Sequence, residues 1–119
     1  MNGQAPRARE AGGLAAASFK ESYSSFPNPF AAGRAESRFA FYLRSPARVT
    51  LTLWTVRGDR VKRVLDRTPL AAGLHQDTAW DGRNERGEVV TNGAYIAEID
   101  VVYDDGGSDR ERRKVAVVR

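Results

Sequence analysis

The chain has 119 residues, enough for one domain and too few for two, with 41% apolar and 29% charged residues, proportions ordinary for a globular protein. It contains no cysteine, which excludes disulfides, thiolate nucleophiles and sulfur-ligated metals together. The net charge is +4, and no apolar run approaches the roughly 18 residues that a membrane-crossing helix needs.

Residues 1–25 are rich in Ala, Gly, Ser and Arg without a period of 2 or 3.6, and read as an extended tail or linker. Within them, Gly12 to Ala17 follows Arg7 and Arg9 in faint imitation of a signal peptide, too short and too weakly apolar for its central region. At Phe26-Pro27-Asn28-Pro29-Phe30 the character changes. Two prolines fix φ and remove ladder donors, so a tight lead-in is expected here, with both phenylalanines plugging one end of the core.

Strands follow at short intervals. Arg38 to Leu43 puts Phe39, Phe41 and Leu43 on one face, and Ser45-Pro46 ends it. Arg48 to Val56 puts Val49, Leu51 and Leu53 inward, with Thr50, Thr52 and Trp54 opposite. After a turn at Arg57-Gly58-Asp59, Arg60 to Leu65 forms a short basic strand with Val61 and Leu65 on one face. Pro69 to Gly73 reads as a connection, Leu74 to Trp80 as a strand, and Asp81 to Gly87 as a polar loop. Val89 and Val90 make a brief strand before Asn92-Gly93, a strong turn signal. Gly93 to Tyr103 is the longest strand, with Tyr95, Ala97, Ile99 and Val101 on one side and Ile96, Glu98 and Asp100 on the other. Asp104 to Asp109 is a hairpin loop, and Arg110 to Val118 the last strand. About seven strands without a helical period point to an all-β, immunoglobulin-like antiparallel sandwich over residues 26–119.

Reactive chemistry is sparse. The single histidine, His75, has no nucleophile-elbow pattern to serve and reads as a surface or loop-packing residue. Asp104, Asp105 and Asp109 lack the spacing of a calcium loop, while Arg83 and Arg86 would repel a cation from Asp81, Asn84 and Glu85. No phosphate-cradling glycine loop is present. The expectation is a non-catalytic chain without metal or cofactor. Its cations are interleaved with acids or set on alternating strand faces, so a solvated surface is expected rather than a nucleic-acid footprint.

Several stretches form a recognisable series. They are Pro27-Asn28-Pro29-Phe30, Val49 to Trp54 closing on Gly58, Ala72-Gly73-Leu74-His75, and Trp80-Asp81-Gly82-Arg83-Asn84 with Gly87, Val90 and Gly93-Ala94-Tyr95, then Lys114 to Arg119. In these, residues 26–119 resemble the FlgD-type immunoglobulin-like domain and the related C-terminal modules of exported bacterial proteins, type IX sorting domains among them. Trp54 stands where such modules often carry tyrosine, and Thr55 where they often carry Asp or Asn. The residues themselves read as fold chemistry: Trp80 covers the core rim, Asp81 satisfies loop amides, and Gly87 and Gly93 supply backbone angles that side chains disfavour.

The resemblance implies a sorting and attachment module at the end of a secreted or cell-surface bacterial protein, recognised by the secretion apparatus, with Lys114 and Arg119 at the family's terminal basic positions. The alternative is a subunit of an extracellular filament, a homo-oligomer in which Met1 to Ser25 adds as a strand to a neighbouring subunit. Carbohydrate binding through Trp54 and Tyr42, expected on adjacent strands, is a further reading.

Overall fold

The structure, a computed structural model, describes residues 18–119. It begins with a single helical turn, α1 (Phe19–Ser22), and continues with eight strands: β1 (Ser24–Phe26), β2 (Phe30–Ala31), β3 (Ser37–Leu43), β4 (Ala47–Thr55), β5 (Arg60–Leu70), β6 (Gly73–Trp80), β7 (Gly93–Tyr103) and β8 (Ser108–Val118). They form two layers. One is a three-stranded sheet in the order β1-β3-β6, the other a five-stranded sheet in the order β2-β8-β7-β4-β5. All pairings are antiparallel except the short β2–β8 pair.

The alternation read from the sequence is the alternation of the core. Phe39, Phe41 and Leu43 from one layer meet Val49, Leu51, Leu53, Ala97, Ile99, Val101, Val115 and Val117 from the other, all essentially without solvent exposure. A period of 2 sends successive side chains to opposite faces, so each strand supplies one wall of the interior. Each buried aliphatic or aromatic side chain stabilises this arrangement by about 1.5–3 kcal/mol before ordering costs.

Three local expectations are corrected. The connection at Pro69 to Gly73 is largely strand, because β5 continues through Pro69 to Leu70. β5 is an outer strand of its sheet, where a residue without a ladder donor can point its nitrogen outward. The strand has irregular register against β4, and Arg67 adopts a φ of 46° while its N–H donates to Thr50 Oγ1 at 3.1 Å. Val89 and Val90 do not form a strand; Val89 makes only an isolated bridge with Arg83. Of the two phenylalanines expected to plug the core, Phe30 is buried, but Phe26 is 77% exposed.

The most consequential difference lies at the start. The linker-like segment 1–25 includes α1 and the first residues of β1, and its aromatic residues belong to the core: Phe19 is 6% and Tyr23 2% exposed. The expected signal-like stretch Gly12 to Ala17 lies outside the described residues. Ser18 Oγ accepts from the Glu21 N–H at 3.1 Å and Glu21 Oε1 accepts from the Ser18 N–H at 3.4 Å, a capping box that satisfies two orphan donors at the start of α1. Tyr23 stacks near Phe19 and Phe39, and its hydroxyl donates to the Ala97 carbonyl at 3.0 Å. β1 then pairs with β3 of the same chain.

Candidate functional site

Three residues of the family-like pattern, Phe30, Trp80 and Tyr95, meet at one rim of the sandwich, whereas Gly73 to His75 lie at the opposite end of β6. Trp80, the last residue of β6, is 1% exposed. Its ring meets Phe30 and Tyr95 edge-on, each with centroids 5.6 Å away. Its indole N–H donates to the Arg83 carbonyl at 2.9 Å, so burial leaves no polar atom without a partner. The Tyr95 hydroxyl, at the far side of the cluster, donates to the Thr91 carbonyl at 2.6 Å.

The loop that follows is held by its own side chains. Asp81 Oδ1 accepts from the Arg83 N–H at 3.1 Å, and the Asp81 carbonyl accepts from Gly33 N–H at 2.9 Å. Asn84 Oδ1 accepts from the N–H groups of Arg86 and Glu88, at 2.9 and 3.0 Å, folding residues 84–88 around one amide. Gly82 sits at φ 81° against Ala32; a Cβ there would lie 2.3 Å from the Ala32 Cβ. Only glycine meets both demands. Gly87 shares the positive φ but faces open space.

Asn28 performs a different task. Its Nδ2 donates to the Lys114 carbonyl and its Oδ1 accepts from the Ala116 N–H, both at 2.8 Å. The side chain thus imitates one residue of a strand beside β8. Pro27 and Pro29, which cannot donate, flank it, and two residues later β2 takes over the same edge, with Phe30 opposite Val117. Lys114 is exposed on the opposite side of β8 from the buried Val115, while Arg119 lies one residue beyond the strand rather than on it. Lys114 thus lies within β8, opposite Ile96, and only Arg119 stands past the end of the strand.

The cations are divided between faces and interleaved with acids, Arg113 turning inward onto Tyr23 between the outward Arg112 and Lys114. Strand register places Lys114, Ile96, Trp54 and Arg60 in one row across β8, β7, β4 and β5; Arg112, Glu98, Thr52 and Arg63 in the next; and Arg110, Asp100 and Thr50 in a third. With Leu51, Leu53, Ala97 and Ile99 between them buried, these rows lie on the outer face of the five-stranded sheet. Glu98, whose side chain is only 13% exposed, accepts from Trp54 Nε1 at 3.2 Å and pairs with Arg112 at 2.7 Å. Arg110 pairs with Asp100. Trp54 and Tyr42 lie in different sheets, so the aromatic pair considered for carbohydrate is not assembled.

The acids of the β7–β8 hairpin are likewise divided. Asp105 is held by Arg44, whose hydrogen bond, with the Gly107 N–H, keeps that carboxyl below the usual carboxylate range. Asp109 accepts from the Tyr103 hydroxyl at 2.8 Å. Burial, then this hydrogen bond, pushes the Tyr103 phenol up. Burial alone dominates the same upward shift at Tyr23. His75 packs on Phe41 and bonds the Ala71 carbonyl at 2.7 Å. Among the described residues, no three His, Asp or Glu side chains gather closely enough to hold a metal, and no helix is long and apolar enough to cross a membrane.

A two-layer immunoglobulin-like sandwich whose sequence-specific residues are absorbed by its rim defines a class of small β modules. Within that class, residues 28–106 match the FlgD Ig-like domain, and the chain belongs to that family. No curated protein matches the sequence at a significant level. Among solved structures, FlgD of P. aeruginosa is similar at 18% identity and a TM-score of 0.58, over 80% of this chain and 72% of that one. FlgD of Xanthomonas campestris is similar at 18% identity and a TM-score of 0.57, over 80% and 67%. Dimeric latent PorU of Porphyromonas gingivalis is similar at 20% identity and a TM-score of 0.61, over 82% of this chain but 9% of that much longer protein. At these identities the likeness is one of fold.

Proposed function

We propose that this chain is a non-catalytic sorting and attachment module of a secreted or cell-surface bacterial protein, working through protein partners of the secretion apparatus. The observation that carries this reading is the use made of the family-type residues. Trp80, Asp81, Gly82, Asn84, Gly87, Gly93 and Tyr95 serve the fold, which leaves recognition to exposed strands and ends. The likeness to a short part of PorU supports a role as one module of something longer. Lys114 and Arg119 are the proposed recognition residues, Lys114 on β8 beside the Asn28 clamp and Arg119 just past the strand.

The test is a reporter fused to residues 18–119 in a host with type IX secretion, beside the Lys114→Ala, Arg119→Ala double variant. The reading expects the reporter outside the cell with the native module and retained with the variant. Equal export of both would remove Lys114 and Arg119 from the account, and equal export without the module would remove the sorting role. The filament alternative draws on the hook capping described for the X. campestris protein as essential for flagellar assembly. It is weakened by β1, because Ser24 and Ser25 are already paired with β3 of their own molecule.

A further inference from the structure

β8 has two edges. One is paired along its length with β7, from Ser108 to Val117. On the other, Lys114 and Ala116 bond the Asn28 side chain, and the Val118 carbonyl accepts from the Ala32 N–H at 3.1 Å. These are even-numbered positions, and the β7–β8 register runs without a shift. By the period of 2, the N–H groups of Arg110 and Arg112 and the carbonyls of Ser108 and Arg110 point the same way, outward from β7. The Arg112 carbonyl takes a bond from its neighbour Arg113 at 2.9 Å. Among the described residues, no strand pairs with this half of the edge.

We propose that the open half of the β8 edge, Ser108 to Arg112, receives an added strand from an acidic partner segment, its backbone pairing with Arg110 and Arg112 and its carboxylates lying beside Arg110, Arg112 and Lys114. The geometry supplies both parts of the recognition. Backbone groups at alternate residues offer ladder bonds, as in other cases of strand addition. The three cations stand on the outer face at the same alternate positions, about 7 Å apart, which is the spacing of carboxylates on every second residue of an extended peptide. Opposite charges directly across a sheet attract and like charges repel, so the basic row that deters a second copy of β8 selects an acidic strand. Glu98 and Asp100 hold the guanidiniums of Arg112 and Arg110 in the row without covering them; those two arginine side chains remain 62% and 63% exposed. The chain's own first seventeen residues carry Arg7 and Arg9 against the single Glu10 and are the wrong charge for the role. This inference goes beyond the sorting reading and stands without it, since it concerns binding by the isolated chain.

The probe is a labelled nine-residue peptide with glutamate at alternate positions and threonine or valine between them, titrated with the full chain by fluorescence anisotropy. Saturable binding is expected. N-methylation of two backbone nitrogens on the edge-facing side should weaken it by about tenfold, the effect of losing one or two net hydrogen bonds. Arg112→Pro should weaken it further than Arg112→Ala, which removes the same guanidinium and keeps the edge donor. The Arg112 nitrogen faces away from β7, so proline removes the edge donor and keeps the existing ladder; circular dichroism checks that both variants fold. Equal binding of the methylated and unmethylated peptides to the native protein overturns strand addition, as does equal binding of a polyuronate or single-stranded DNA of matched charge. Absence of peptide binding overturns it outright.

Discussion

Arg113, on the last strand, lies with its guanidinium 5.3 Å from the ring centroid of Tyr23 and donates from Nε to the Tyr23 carbonyl at 3.1 Å. A second guanidinium nitrogen reaches the Lys20 carbonyl, so the arginine closes the end of α1 as well. The contact ties residues 20–23 to the last strand, so that α1 and Tyr23 pack as part of the sandwich.

Removing the ring of Tyr23 should therefore cost as much as a core truncation. Tyr23→Ala is expected to destabilise the fold by about 3–5 kcal/mol, and Arg113→Ala by about 1–2 kcal/mol through lost hydrogen bonds to charged nitrogens. Urea denaturation of both variants measures this. A Tyr23→Ala loss below 1 kcal/mol would mean that residues 18–25 are not held in the core.

The two loop glycines separate close approach from backbone angle. Gly82→Ala has both a positive φ and a Cβ 2.3 Å from that of Ala32, whereas Gly87→Ala has the same φ and nothing within 4 Å. Gly87→Ala should cost about 1 kcal/mol, in line with the left-handed penalty alone. Gly82→Ala should cost at least about 2 kcal/mol more, because backbone as well as side chain of Ala32 must shift. Thermal melts of the pair compare them directly.

Asn28→Ala removes both ends of the clamp on β8 and is expected to cost about 1–3 kcal/mol. The sharper readout is amide hydrogen exchange at Ala116, whose N–H donates to Asn28 Oδ1. Exchange there should accelerate by more than tenfold in the alanine variant, while Val115, paired to β7 through Tyr95, keeps its protection. Asn28→Asp retains the acceptor and loses the donor, so it should leave Ala116 protected.

The pH dependence follows from two phenols. Tyr23 and Tyr103 are both raised by burial, Tyr103 further by Asp109. A raised folded-state pKa means that the neutral form is favoured by folding. The contribution is fully present below the unfolded tyrosine pKa of about 10 and is lost as pH climbs above it toward the folded values. Stability should thus fall from about pH 10 upward. Tyr23→Phe should flatten that fall while lowering stability at pH 7 by the lost bond to Ala97. An unchanged alkaline slope in the Phe variant would assign the dependence elsewhere.

Much of this was legible in the residues because it is local. Alternation at 39–43, 49–53, 95–101 and 115–117 names the buried face without knowledge of the partner, since the side-chain period belongs to the strand itself. The Trp80 to Tyr95 series could be read as fold chemistry because tight turns limit which residues fit. Phe19 and Tyr23 were hidden by their Ala- and Ser-rich surroundings, although Ser18 and Glu21 carried the signature of a capped turn. β5 ran past its expected end because Pro69 breaks a central strand but not an outer one, and position within the sheet is not written in a local window.

What the sequence determined by itself was the six longer strands, β3 to β8, with their inward faces and the turns between them, all governed by forces acting within a few residues. The tertiary structure alone decided which strands became neighbours. That choice set Asn28 beside β8, placed Trp54 and Tyr42 in different layers, and brought Arg60, Arg63, Arg110, Arg112 and Lys114 onto one face. Pairing order and register depend on burying every inward face at once, so they are properties of the packed chain and of no single segment.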